Sequence, residues 1–309
     1  MQTSPKVLFI GGYGRSGSTL LDRVLGSIDG FVSVGELRHI WREGYGENRL
    51  CGCGTRFADC RFWTAVTQRA FGGRARLDLD RVLAAKARVD RYQRLPQLVT
   101  GVAGQRRRGE LAWYTKQLRS LYEAIAEETG AAVIVDSSKD VSHGYVLGRI
   151  RPPIDLHVLH LVRDSRAVAH SWQRKKFNPG SGRDMDRFSI TRTSAEWVAI
   201  NALTSLQRSV GRGRYTRLRY EDFVAAPREA VERICATVGE PGRPVPIDDA
   251  GRIELVPSHT AAGNPMRFTS GPTAIRADEE WRATMPLASR RLVTALTLPV
   301  LATATRTTL

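Results

Sequence analysis

The eight residues Gly12-Tyr-Gly-Arg15-Ser16-Gly17-Ser18-Thr19 are the part of this sequence best suited to holding a phosphate. Their spacing is that of a P-loop, with a glycine, four residues, a second glycine and then a hydroxyl pair. Small residues let backbone N–H groups close on an anion, and the dipole of a following helix adds to the attraction. The lysine that nucleotide triphosphatases place after the second glycine is replaced by Ser18, and the positive charge stands earlier, at Arg15. A second phosphate-binding pattern lies in the segment running from Leu161 to Trp172. Arg163 is placed at a strand end and Ser171 eight residues on in the next helix, so that the two grip one more phosphate from two sides.

Several elements must hold these groups in place. Val7–Ile10 is a short apolar run ended by Gly-Gly, followed by a helix over Ser18–Leu25. Further strands are expected at Phe31–Val34, Ala131–Val135, Leu156–Val162 and Tyr215–Arg219. Helices are expected at about Glu110–Thr129, from Ser165 and from Pro227. Strands alternating with helices predict an α/β fold with a central parallel sheet flanked by helices. Two stretches break the alternation and read as helical or loop insertions, 40–108 and 174–193. No Pro/Gly/Ser-rich linker divides the chain, so residues 1–309 are read as one domain.

Composition sets outer limits. With 309 residues, 42% hydrophobic and 25% charged, the chain has enough apolar sequence for a sizeable core, which excludes whole-chain disorder, collagen-like structure and a disulfide-stapled mini-protein. The excess of 47 Lys+Arg over 31 Asp+Glu, +16, favours anionic partners without choosing among them. No apolar run suffices for a transmembrane helix, and Met1–Ile10 does not read as a signal peptide, so a cytoplasmic location is expected.

The loop Gly-Arg-Ser-Gly-Ser-Thr-Leu-Leu and the Arg163…Ser171 spacing resemble the 5′-phosphosulfate and 3′-phosphate elements of sulfotransferases, which use 3′-phosphoadenosine 5′-phosphosulfate (PAPS). Tyr220-Glu-Asp-Phe resembles the family segment whose tyrosine contacts adenine. The likeness implies the P-loop-like three-layer fold. It also implies cofactor contacts from Arg15, Ser16, Gly17, Ser18, Thr19, Leu20, Arg163, Ser171 and Tyr220. The bacterial and tyrosylprotein branches are the more similar ones. Gly35-Glu36-Leu-Arg is similar to the context of their catalytic base, and Asp136-Ser-Ser-Lys139-Asp140 to the segment of their catalytic lysine. Ser258-His-Thr and Gly263-Asn264-Pro-Met-Arg267-Phe resemble the C-terminal cofactor segment of bacterial members. The cytosolic branch's Arg-Lys-Gly motif is absent. The implied chemistry is in-line sulfuryl transfer, with Glu36 as general base, Arg15 and Lys139 facing the leaving phosphate, and Ser258 donating a hydrogen bond. The product is adenosine 3′,5′-bisphosphate, and no metal is required. The acceptor is a hydroxyl of a small molecule, lipid or glycan in a pocket built by the two insertions, and a homodimer is compatible with this reading.

Other readings stay open at this level. His39 and His259 are alternative bases; His143, His157, His160 and His170 read as structural, and Trp172 and Trp197 as core or pocket wall. A kinase-like enzyme is the rival reading, with Val133-Ile-Val-Asp136 mimicking a strand-end magnesium site. A nucleic-acid-binding protein is a third, resting only on the basic stretch 74–108, which also reads as a solvated helix face. Cys51, Cys53 and Cys60 suit a local disulfide to Cys60, free thiols, or a zinc site lacking a nearby fourth ligand, which His39 could complete.

Overall fold

Side chains of the first strand, β1 (Lys6–Gly11), alternate between two hydrophobic cores: Val7 and Phe9 enter one, Leu8 and Ile10 the other. A strand buried on both faces is what a parallel sheet with helices on each side requires. The computed structural model describes residues 4–102, 104–304 and 307–308. Its main sheet adds β2 (Phe31–Gly35), β3 (Val133–Lys139), β4 (Asp155–Val162) and β5 (Arg214–Arg219), in the order β2-β3-β1-β4-β5, all pairs parallel.

Nine longer helices serve the argument. They are α1 (Ser18–Leu25), α2 (Arg61–Phe71), α3 (Leu79–Val89), α4 (Gln105–Thr129), α5 (Val141–Leu147), α6 (Ser165–Gln173), α7 (Ile190–Ser205), α8 (Pro227–Thr237) and α9 (Leu287–Ala304). Leucine and isoleucine from α1 and α8 fill one face of the sheet, while α4 and α5 cover the other. A small antiparallel pair, β6 (Arg252–Leu255) with β7 (Gly271–Ala274), extends the first of these cores.

Two of the expected boundaries move. The third strand starts at Val133, because Gly130 in a left-handed conformation caps α4, and it runs on to Lys139. The insertion 174–193 is not all loop: Phe177–Asn178 pairs with Arg183–Asp184, and α7 begins at Ile190 with Ser189 capping its N-terminus. In the other insertion, Trp41, Tyr45, Phe57 and Trp63 build an aromatic cluster, and α2 and α3 lie against α4. The basic stretch is anchored through Val82, Ala85 and Val89, with Arg88 paired to Glu110 and Arg81 over the Trp113 ring. Among the described residues, no helix is long and apolar enough to cross a membrane.

Candidate active site

The chain leaves β1 toward β2 on one side of the sheet and leaves β4 toward β5 on the other, so the loops after these adjacent strands diverge. Ligands of open α/β sheets bind in such a crevice at the carboxyl edge. The loop after β1 and Arg163 after β4 meet there, at a cavity of about 820 Å³.

The loop's glycines are steric necessities. Gly12 has φ +129°, and a Cβ there would stand 2.3 Å from the Leu161 carbonyl oxygen. Gly17 has φ +86°, and a Cβ there would stand 2.4 Å from the Tyr220 ring. Gly17 caps α1, whose first turn holds no acidic side chain to compete with an incoming anion. Arg15 itself lies in the left-handed region, φ 67°, with its guanidinium 5.0 Å from the centre of the Trp172 ring. Burial holds its pKa below the ordinary arginine value. Its Nε and Nη2, the Ser16 hydroxyl and Trp172 Nε1 are buried with no hydrogen-bond partner among the described residues. Orphaned donors around a tight glycine turn suit an anionic substrate group.

Arg163 donates to the Arg15 carbonyl at 3.1 Å and to the Asp278 carbonyl at 3.0 Å, and its guanidinium stands 4.6 Å from the Tyr220 ring centre. Buried Trp197 donates to the Arg163 carbonyl and so belongs to the core beneath it. Ser171 and Trp172 line the cavity from α6.

Glu36 and Lys139 close the opposite side. They follow β2 and β3, neighbours in the sheet, and Lys139 Nζ donates to Glu36 Oε1 and to the Ser137 carbonyl. Burial alone would raise the Glu36 pKa, but Lys139 above all, then His39 and Arg267, hold it below the ordinary carboxylate range. Lys139, like Arg15, is a non-glycine residue with positive φ, 63°. The Glu36 N–H donates to the Ala262 carbonyl at 3.1 Å, which brings the C-terminal segment over the pair, with Gly263 nearest the carboxylate.

Of the sequence-predicted residues, Arg15, Gly17, Ser18, Thr19, Leu20, Glu36, Lys139, Arg163, Ser171, Tyr220, Gly263 and Asn264 line this one cavity. Ser16, Ser258 and Arg267 stand outside its wall. Arg267 instead donates to the Thr260 and Leu50 carbonyls, at 2.7 and 2.6 Å. The chain signal that sequence reasoning passed over is the run Arg174-Lys175-Lys176 at the end of α6, all three on the cavity wall. Seven Lys/Arg side chains line the cavity against three carboxylates, Glu36, Glu43 and Asp278.

Several alternatives lose their geometry. Asp136 is fully buried, accepts from the Tyr122 hydroxyl at 2.6 Å and faces His143, so it offers no carboxylate to a magnesium ion in the cavity. His39 faces Glu36 and Glu43, at 3.7 and 3.8 Å, and not the cysteines. The residue beside the thiols is His259. Cys53 and Cys60 have their sulfurs 3.8 Å apart, and no disulfide joins Cys51, Cys53, Cys60 or Cys235.

The sequence pattern described as the sulfotransferase family matches residues 5–244. The chain belongs to the sulfotransferase family. Among curated proteins, human carbohydrate sulfotransferase 3 is 27% identical over 165 residues, 48% of this chain. The aligned part covers 33% of that human protein, so the two are alike over a third of its length. Among solved structures, the sulfotransferase domain from the curacin biosynthetic pathway superposes with a TM-score of 0.51 at 18% identity, covering 95% of this chain and 98% of that domain. The sulfotransferase domain of the Synechococcus PCC 7002 olefin synthase gives 0.47 at 22% identity, covering 97% and 96%. With its five-stranded parallel sheet and the superposition on the curacin-pathway domain, this sulfotransferase has the expected P-loop-like α/β fold.

Proposed function

We propose that this sulfotransferase moves the sulfuryl group of PAPS to a hydroxyl of a small molecule, lipid or glycan. The observation that carries the reading is the convergence, on one cationic cavity, of the β1 loop, Arg163 and the Glu36–Lys139 pair. In this reading the loop N–H groups and Arg15 hold the 5′-phosphosulfate. Arg163 and Ser171 hold the 3′-phosphate, and Tyr220 borders the adenine. Glu36 accepts the hydroxyl proton as the new O–S bond forms. A carboxylate held below its ordinary pKa is a weak base, so the proton moves late, once bonding to sulfur has made the hydroxyl acidic. Arg15 and Lys139 stabilise charge growing on the leaving phosphate, which leaves as adenosine 3′,5′-bisphosphate.

The proposal extends to organisation: residues 1–309 act as one domain, with 40–108 and 174–193 shaping the acceptor pocket. The enzyme works in the cytoplasm, where thiols stay reduced. The name of the human relative puts glycans first among acceptors to screen.

Calorimetric titration in metal-free buffer tests the donor. Adenosine 3′,5′-bisphosphate should bind and ATP·Mg²⁺ should not; the reverse ranking would overturn the reading. Mass spectrometry of glycan, lipid and small-molecule pools incubated with labelled PAPS then identifies the acceptor.

A further inference from the structure

Outside the catalytic cavity, Cys51, Cys53, Cys60 and His259 each offer one ligand atom, and these four atoms lie within 4.8 Å of one another. Cys53 Sγ is 3.8 Å from Cys60 Sγ. His259 Nδ1 is 3.3 Å from Cys60 Sγ and 3.8 Å from Cys51 Sγ. These separations are close to the edges of a metal tetrahedron. With metal–sulfur bonds of about 2.3 Å and metal–nitrogen bonds of about 2.05 Å, tetrahedral angles require S···S of about 3.8 Å and S···N of about 3.6 Å. A disulfide needs sulfurs about 2.05 Å apart.

The surroundings are built to hold the four groups together. The Cys51 N–H donates to the Thr55 carbonyl at 2.7 Å and the Gly54 N–H to the Cys51 carbonyl at 2.9 Å, folding the Cys-Gly-Cys-Gly segment into a tight turn. Gly54 takes φ +88°. Gly52 lies flat on the strand of chain that carries the histidine: its N–H donates to the Thr260 carbonyl at 3.0 Å, and a Cβ there would stand 2.3 Å from Thr260 Oγ1. The Phe62 ring stacks on His259, centroids 4.9 Å apart and planes 14° apart, which fixes the imidazole. Cys51 and Cys60 are buried. Buried Arg267, held on the carbonyls of Leu50 and Thr260 that flank this cluster, supplies a positive charge beside it.

We propose that Cys51, Cys53, Cys60 and His259 bind one zinc ion in a closed, structural Cys₃His site. Three S–Zn bonds form as three thiol protons pass to solvent, and neutral His259 coordinates through Nδ1; no electron changes hands. Zinc with three thiolates carries one net negative charge, which Arg267 offsets. Four protein ligands leave no open position for a reacting group, so the ion braces the fold and takes no part in transfer. It ties the insertion to the C-terminal segment, across some two hundred residues of chain. That segment in turn bonds Ala261 N–H to the Val34 carbonyl and receives the Glu36 N–H at Ala262. Nothing in the proposed sulfuryl transfer depends on this metal.

Elemental analysis of the full chain, purified from zinc-supplemented medium and passed through a desalting column, should give about one zinc per molecule. Cobalt(II) exchanged into the same protein should show the visible and near-ultraviolet bands of a tetrahedral thiolate site. Cys53 is the half-exposed one of the three cysteines, so Cys53→Ser should stay folded by circular dichroism. Loss of an outer-sphere partner alone weakens metal sites about 10–100-fold, so loss of this ligand should cost at least about 100-fold in zinc affinity. Cys235→Ser, remote from the cluster, should keep the full zinc content. Wild-type protein without stoichiometric zinc would overturn the proposal. So would a Cys53→Ser protein that holds zinc as tightly as wild type, or an intact mass revealing a Cys53–Cys60 disulfide. If Cys53→Ser does not fold, the cobalt spectrum and zinc content of the wild type decide alone.

Discussion

The two walls of the cleft are made differently. The wall proposed to hold the phosphates, the phosphate wall, comes from strand ends: the turn after β1, Arg163 after β4 and Tyr220 after β5 are set by hydrogen-bonded sheet register and by glycines with no room for a Cβ. The opposite wall comes from insertions and the C-terminal segment, where Arg49, Met185 and Asn264 arrive on irregular backbone. The first wall suits a ligand shared across a fold and the second one that varies. Glu36 and Lys139, at strand ends with Gly263 against the Glu36 carboxylate, stand on the seam between them.

Variants put this contrast to the test. The largest effect is expected at the seam. Glu36→Gln should lower kcat by about 10²–10⁴-fold while adenosine bisphosphate still binds, since general-base catalysis is lost and the phosphate wall is untouched. Near-normal turnover by labelled-PAPS assay would remove Glu36 from the chemistry. Arg15→Ala follows, with a loss of about 10²–10³-fold in kcat, the range for removing one preorganised charge donor. On the phosphate wall, Arg163→Ala should weaken bisphosphate binding by about 10–100-fold in calorimetry, the worth of a charge-assisted contact, and leave the acceptor KM unchanged. A shift in acceptor KM instead would mean that the two walls are not separable. At the rim, Lys176→Ala should cost only a few-fold, about 2–5, and flatten the dependence of kcat/KM on salt.

The pH profile addresses the seam again. In its proposed role Glu36 works deprotonated, and its pKa is depressed, so activity should persist as pH falls until the medium passes below the ordinary carboxylate range. An acid limb in kcat/KM within the imidazole range would move the base to His39.

The same contrast explains what was legible. The spacing Gly12…Gly17-Ser18-Thr19 and the Arg163…Ser171 pair are local patterns fixed by strand-turn-helix geometry, and the structure brings Gly17, Ser18, Thr19, Arg163 and Ser171 to one cavity. Strand positions were legible because both faces of the sheet are apolar. The aromatic packing of Trp41, Tyr45, Phe57 and Trp63 has no period to read, and so the 40–108 insertion gave no shape in advance. His259 was invisible as a neighbour of Cys60 because 199 residues separate them, and tertiary hydrogen bonds such as Gly52 N–H to the Thr260 carbonyl and Ala261 N–H to the Val34 carbonyl close that distance. Arg267 was expected at the cofactor; its buried guanidinium is instead committed to carbonyls, a demand that sequence does not reveal.

Arg15 and Lys139 both hold the backbone in a left-handed shape that costs a side-chain-bearing residue about 1–2 kcal/mol. Glycine at Arg15 would relieve that cost, remove two buried unpartnered donors and raise the melting temperature, whereas glycine at Lys139 would strand the buried Glu36 carboxylate and lower it. A breeding programme rewarding heat resistance alone would thus drift toward sturdier, inert descendants at Arg15, so any thermostabilised version should be screened for turnover at that position first.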